Sequence, residues 1–155
     1  ICRLCTVEVE TRGRKKLVTA CNFPVRNEIN VSTTSDKVKK HRKNLAEMYL
    51  GRWPEVPVIK EVAAKCGATD TEKFKSELTD TNPEACILCG HCVKACDEFI
   101  QERILDFAGR GIKRYLDMPF NEVDPHCIGC TSCAFVCPTG AIKVVDNMNH
   151  PVDAK

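Results

Sequence analysis

Two cysteine runs of identical spacing constrain this chain more than any other feature. Cys86-x2-Cys89-x2-Cys92-x3-Cys96 and Cys127-x2-Cys130-x2-Cys133-x3-Cys137 map onto each other at an offset of 41 residues. One metal-binding half has therefore been duplicated. Three thiolates two residues apart let a short loop wrap a metal–sulfide cube corner by corner, with backbone N–H groups turned toward the sulfurs. The fourth cysteine opens the next element and faces away from its own loop. A zinc site asks for four ligands, usually as paired C-x2-C knuckles, and leaves a third evenly spaced cysteine unexplained. A disulfide framework needs an oxidising compartment, and Ile1-Cys2-Arg3-Leu4-Cys5 does not read as a secretory signal.

The spacing is that of the bacterial-type ferredoxin run, in which the fourth cysteine ligates the other cluster. Two [4Fe–4S] clusters are expected. Cys86, Cys89, Cys92 and Cys137 should hold cluster I, and Cys127, Cys130, Cys133 and Cys96 cluster II. Pro138 follows Cys137 as the run expects, while Asp97 stands after Cys96 where proline is usual.

A second, incomplete constellation lies near the start, Cys2-x2-Cys5-x15-Cys21. The plant-type [2Fe–2S] pattern has one cysteine upstream, then C-x2-C, then a distant fourth. Thr6–Glu10 alternates as a strand, Arg12-Gly13-Arg14 turns, and Leu17–Ala20 returns to Cys21. The missing ligand would precede Ile1, so either the chain is part of a longer protein or the cluster is absent. Reduced structural cysteines are the alternative reading.

Between these modules, residues 34–50 form an amphipathic helix in which Thr34 or Ser35 is the cap and Gly51 the end. Pro57 opens a second helix that Gly67 closes, and Cys66, alone at its end, reads as structural. A short helix or turn is expected around Thr71–Leu78. Gly109-Arg110-Gly111 suggests a hairpin or a helix-to-strand transition, Gly140–Val145 a short strand, and residues 147–155 a tail. The expected fold is α+β: residues 1–32 as the C-terminal part of a [2Fe–2S] ferredoxin-like module, 33–80 as a helical linker, and 81–146 as a ferredoxin-like domain with two [4Fe–4S] clusters.

The charge is uneven. Residues 1–80 carry 16 Lys/Arg against 11 Asp/Glu, and residues 81–155 carry 7 against 10. The basic stretch Lys37–Lys43 reads as a solvated face or a platform for an acidic neighbour. It has no interleaved aromatics, so nucleic acid is not expected as a partner. No run of 18 apolar residues suggests a membrane span. A His-x3-Cys-x2-Cys-x5-Cys count from His41 lands on Leu45, Met48 and Pro54, so His41 reads as a helix-face residue. His91 and His126 adjoin cysteines that already fill every coordination place, and would tune rather than ligate.

Cys2-Arg3-Leu4-Cys5-Thr6-Val7-Glu8-Val9, Leu17–Cys21 and Pro24-Val25 resemble the [2Fe–2S] module that opens the large iron–sulfur subunit of respiratory complex I. The same module opens the small diaphorase subunit of NAD-linked hydrogenases and NAD-dependent formate dehydrogenases. Cys86–Glu98 resembles the next module of that family, where Asp after the fourth cysteine is familiar. The chain departs from the family in lacking its first [2Fe–2S] cysteine and its histidine-ligated [4Fe–4S] segment, which residues 41–66 replace. The resemblance implies a cytoplasmic electron-relay subunit of anaerobic metabolism. Its partners would be a flavoprotein that exchanges electrons with NAD(H) and a catalytic hydrogenase, formate dehydrogenase or reductase. No nucleophile motif, paired catalytic carboxylate or dinucleotide fingerprint points to catalysis by the chain alone. The competing classes are a free ferredoxin-type carrier and a zinc-binding structural or nucleic-acid adaptor.

Overall fold

The structure, a computed structural model, describes residues 2–122, 124–145, 151 and 152. The chain divides into two compact units, residues 1–81 and 82–155.

The first unit is built around a central strand. β1 (Thr6–Thr11) pairs antiparallel with β2 (Arg14–Thr19) on one side and β3 (Asn30–Ser32) on the other. The register places Thr11 opposite Arg14, leaving a two-residue turn. Arg12 and Gly13 both take positive φ (52° and 72°), the pairing that matches the twist of a tight hairpin. Flanked on both sides, β1 buries Thr6, Val7, Glu8 and Val9.

Helix α1 (Asp36–Arg52) starts at Ser35, whose hydroxyl accepts from the Val38 N–H. It packs against β1 and against α2 (Pro57–Lys65). Val38, Ala46, Leu50, Trp53, Val56, Ile59 and Ala63 join Val7 and Val9 in one core. The boundary expected at residue 32 therefore falls inside this unit.

α1 does not stop at Gly51, as the sequence suggests; it runs through it and ends before Pro54, where the proline ring disfavours helical backbone. Gly51 serves close packing instead. A Cβ there would lie 2.7 Å from the Phe74 carbonyl group, and its own carbonyl accepts from the Thr79 hydroxyl at 2.7 Å. Lys73 reaches back to Glu47 at 2.5 Å, neutralising a carboxylate that is 5% exposed. These contacts pin the segment expected to hold a short helix or turn around Thr71–Leu78, which forms turns.

In the second unit, α3 (His91–Lys94) runs into a wide π-helical turn, Ala95–Ile100. The expected hairpin forms as β4 (Asp106–Ala108) paired with β5 (Tyr115–Asp117), with a short 3-10 turn at Gly111–Lys113 between them. α4 (Ser132–Phe135) packs against α3 and the π turn. β6 is shorter than expected, Val144–Val145, and pairs with β7, Pro151–Val152. The rest of the tail expected at 147–155 lies outside the described residues. Among the described residues no helix is long and apolar enough to cross a membrane.

Replacing Gly51 with alanine should destabilise the first unit by about 1–3 kcal/mol, the usual cost of overpacking. Urea denaturation followed by tryptophan fluorescence at Trp53 measures it.

Candidate iron–sulfur centres

The duplicated spacing is repeated in the backbone. Leu88 and Gly90 take left-handed φ (55° and 79°), and so do Gly129 and Thr131 (65° and 60°), the positions 41 residues on. α3 and α4 then begin at equivalent residues, His91 and Ser132. A left-handed residue costs a side chain about 1–2 kcal/mol. Leu88 and Thr131 carry that cost, in keeping with a loop shaped by its inward-facing N–H groups. Gly90 also lets the Phe107 ring approach to 3.4 Å from a would-be Cβ. The Arg114 guanidinium covers that ring at 3.9 Å.

Those N–H groups reach the thiols. Leu88 donates to Cys86, Val93 to Cys92 and Ala134 to Cys133. Burial nevertheless pushes the Cys86 and Cys133 thiols up, and the Cys92 thiol up to about 11. Neighbouring thiolates add to the effect. Cys89 and Cys137 act on Cys86; Cys89, Cys86 and Cys137 act on Cys92. Cys130 and Cys127 act on Cys133. The charge of Cys137, in the second run, thus acts on Cys86 and Cys92 of the first.

Cys137 is itself partly buried, which raises its thiol. Donors from the Thr139 side chain and the backbone of Thr139, Ile142 and Ala141 outweigh that and bring it below its ordinary value. Cys130 is lowered by the Ser132 hydroxyl and N–H, with Glu102 opposing. Glu102 also donates its backbone N–H to the Cys96 carbonyl at 3.2 Å.

Histidines stay out of these arrays. His126 turns its Nδ1 to Asp124 at 2.8 Å, and the His126 N–H and ring together hold that carboxyl below the usual range. His91 is exposed at the start of α3. Asp97, in the place of the usual proline, pairs with Arg103 at 2.6 Å.

Near the start, Thr6 donates its N–H and hydroxyl to the Arg3 carbonyl, closing a tight turn around Cys5. The Cys21 backbone N–H and thiol both donate to Cys5, lowering the Cys5 thiol; donating raises Cys21, as does the charge of Cys2. A cavity of about 530 Å³ opens beside them, lined by Cys2, Cys21, Arg3, Thr6, Phe23 and His41 among others. His41 lies on the helix as expected, yet faces this cavity. Cys66 caps the end of α2.

Among the described residues, no three Cys, His, Asp or Glu side chains converge as tightly as a single ion requires. A cubane binds its four thiolates at four different irons, so its cage of protein sulfurs is wider than that of zinc. Thiols that receive N–H donors, as Cys86, Cys92 and Cys133 do, suit the corners of such a cube. The Cys2/Cys5/Cys21 group offers three thiols beside open space, fitting one side of a smaller cluster.

Comparison with known proteins agrees with the spacing. Residues 85–141 match the 4Fe-4S dicluster domain. Over 91% of its length the chain is 29% identical to the NADPH-Fe(3+) oxidoreductase subunit alpha of Geobacter sulfurreducens, covering 19% of that protein. It is 28% identical to the NADP-reducing hydrogenase subunit HndD of Solidesulfovibrio fructosivorans, over 97% of this chain and 30% of the relative. It is 26% identical to the mitochondrial NADH-ubiquinone oxidoreductase 78 kDa subunit of Candida albicans, over 91% of this chain and 22% of the relative. The chain thus spans less than a third of each of these relatives. Its fold is similar to a chain in the crystal structure of the NAD+-reducing [NiFe]-hydrogenase in the H2-reduced state. The TM-score is 0.67 at 24% identity, over 90% of this chain and 67% of that one. The match to the dicluster domain begins at Ala85, one residue before the first ligand candidate, and ends four residues past Cys137.

The sequence singles out eleven cysteines as ligand candidates. It did not single out Phe107, Glu102 or Tyr49, whose roles depend on contacts between elements. In metal-free, reduced protein at pH 8, iodoacetamide should label Cys130 well before Cys92, because only the thiolate reacts. Peptide mass spectrometry over a time course checks the order.

Proposed function

We propose that this chain is an electron-relay iron–sulfur subunit. It carries single electrons between an NAD(H)-linked flavoprotein and a catalytic oxidoreductase subunit, of hydrogenase, formate dehydrogenase or reductase type, in the cytoplasm. Cys86, Cys89, Cys92 and Cys137 would hold one [4Fe–4S] cluster, and Cys127, Cys130, Cys133 and Cys96 the other. Cys2, Cys5 and Cys21 would supply three ligands of a [2Fe–2S] cluster. The dicluster match and the nature of the relatives support this reading. The observation that carries it is the match of residues 85–141, which hold all eight cysteines of the two runs, to the 4Fe-4S dicluster domain.

When bound, a cubane takes up or releases one electron. The protein's part is to exclude water, aim N–H groups at sulfur and hold the two centres at a fixed separation. The crossed connection fixes that separation, because each loop is tied by its own three thiolates and by the fourth from the other run. Burial and N–H donors set the potential of each centre. In the thiol form the same burial disfavours ionisation, so assembly releases protons and is favoured as pH rises.

Anaerobic purification should give about eight irons per chain for two cubes, and about ten with the smaller cluster. Cys137→Ala should disturb the centre held by Cys86, Cys89 and Cys92 and leave the EPR signal of the other intact. Loss of the centre at Cys127, Cys130 and Cys133 alone, or no change in either signal, would refute the assignment.

A further inference from the structure

The turn carrying Cys2 and Cys5 is gripped from outside by α1. The Arg42 guanidinium donates twice to the Thr6 carbonyl, from Nε at 3.1 Å and from a terminal nitrogen at 2.7 Å. The Tyr49 hydroxyl donates to the Cys2 carbonyl at 2.9 Å. Thr6 and Cys2 bracket Cys5, and both line the cavity beside Cys21. Arg42 and Tyr49 are seven residues apart, two turns along one face of the helix. The helix is thus clamped across the whole cysteine turn.

We infer that Arg42 and Tyr49 are positioning residues of the Cys2/Cys5/Cys21 centre: they fix the turn, and the permanent charge of Arg42 raises the reduction potential of a cluster held there. This rests on the reading that the three thiols hold a [2Fe–2S] cluster. One-electron reduction, by the flavoprotein partner, adds one negative charge to such a cluster, and a fixed cation nearby favours that form. Arg42 suits the role because its guanidinium stays protonated throughout the accessible pH range. It is also half-buried and held by two hydrogen bonds. Other cations of the stretch suit it less. Lys37 is engaged with Glu8 at 3.8 Å, Lys43 with Glu47, and Lys39 and Lys40 are exposed, where solvent and salt screen them. Tyr49 also stacks on Trp53, with ring centroids 6.3 Å apart. Tyr49→Phe therefore keeps the stack and removes only the hydroxyl.

The test uses the full-length protein isolated anaerobically and poised by redox titration, with the [2Fe–2S] EPR signal as readout. Arg42→Leu should raise the oxidised-to-reduced ratio at the wild-type midpoint about tenfold, equivalent to a fall of about 59 mV for one electron. Arg42→Gln should do the same if the leucine variant fails to fold. Arg42→Lys, which keeps the charge, should stay near wild type. Tyr49→Phe should melt at the wild-type temperature yet lose its cluster to a chelator several-fold faster. An unchanged potential in both neutral variants, or an equal fall in Arg42→Lys, overturns the charge role. A wild-type rate of cluster loss in Tyr49→Phe overturns the clamp. Absence of any [2Fe–2S] signal from the wild type instead refutes the underlying reading of the three cysteines, and the inference with it.

Discussion

In the reading proposed here, the second unit depends on what its thiols hold. Among the described residues of 82–155, the buried apolar set is Ala85, Cys92, Ala95, Ile104 and Ala134. Three of those are alanines and one is itself a ligand candidate. A segment of this size with so thin a core needs covalent or metal staples to be stable. Without a metal some of its thiols are poorly placed: burial raises the pKa of Cys86, Cys92 and Cys133, and neighbouring thiolates add to that. Iron bound there would stabilise the ionised thiols. Folding and cluster assembly in this unit are therefore one process in the reading proposed here.

The first unit is held differently. Val9, Val38 and Val56 are fully buried, and β1 is covered by strands on both sides and by a helix. That core stands without help from Cys2, Cys5 and Cys21, which lie at its margin with Cys2 and Cys21 exposed. The margin is nevertheless ordered by the core, since Arg42 and Tyr49 project from the helix that the core fixes.

Much of this is readable from residue order because the decisive signals are local. Cysteine spacing specifies a loop, and a loop specifies the repeated left-handed positions at Leu88, Gly90, Gly129 and Thr131. The Arg12-Gly13 hairpin and the Ser35 cap follow from short-range chemistry in the same way. Gly51 misleads because a glycine late in a helical pattern signals either an end or a close contact, and only the position of Phe74 distinguishes them. The grip of α1 on the cysteine turn is hidden for a related reason. Arg42 sits within a basic run that reads as solvated, and its acceptor is a backbone carbonyl 36 residues away.

The lacing of two cubes by exchanged fourth cysteines is the central claim. An anomalous difference map at the iron edge, from crystals grown without oxygen, addresses it directly. Two four-iron sites are predicted, one joined to Cys86, Cys89, Cys92 and Cys137, the other to Cys127, Cys130, Cys133 and Cys96. A map with single ions, or with each cube bound by the four cysteines of one run, would contradict it.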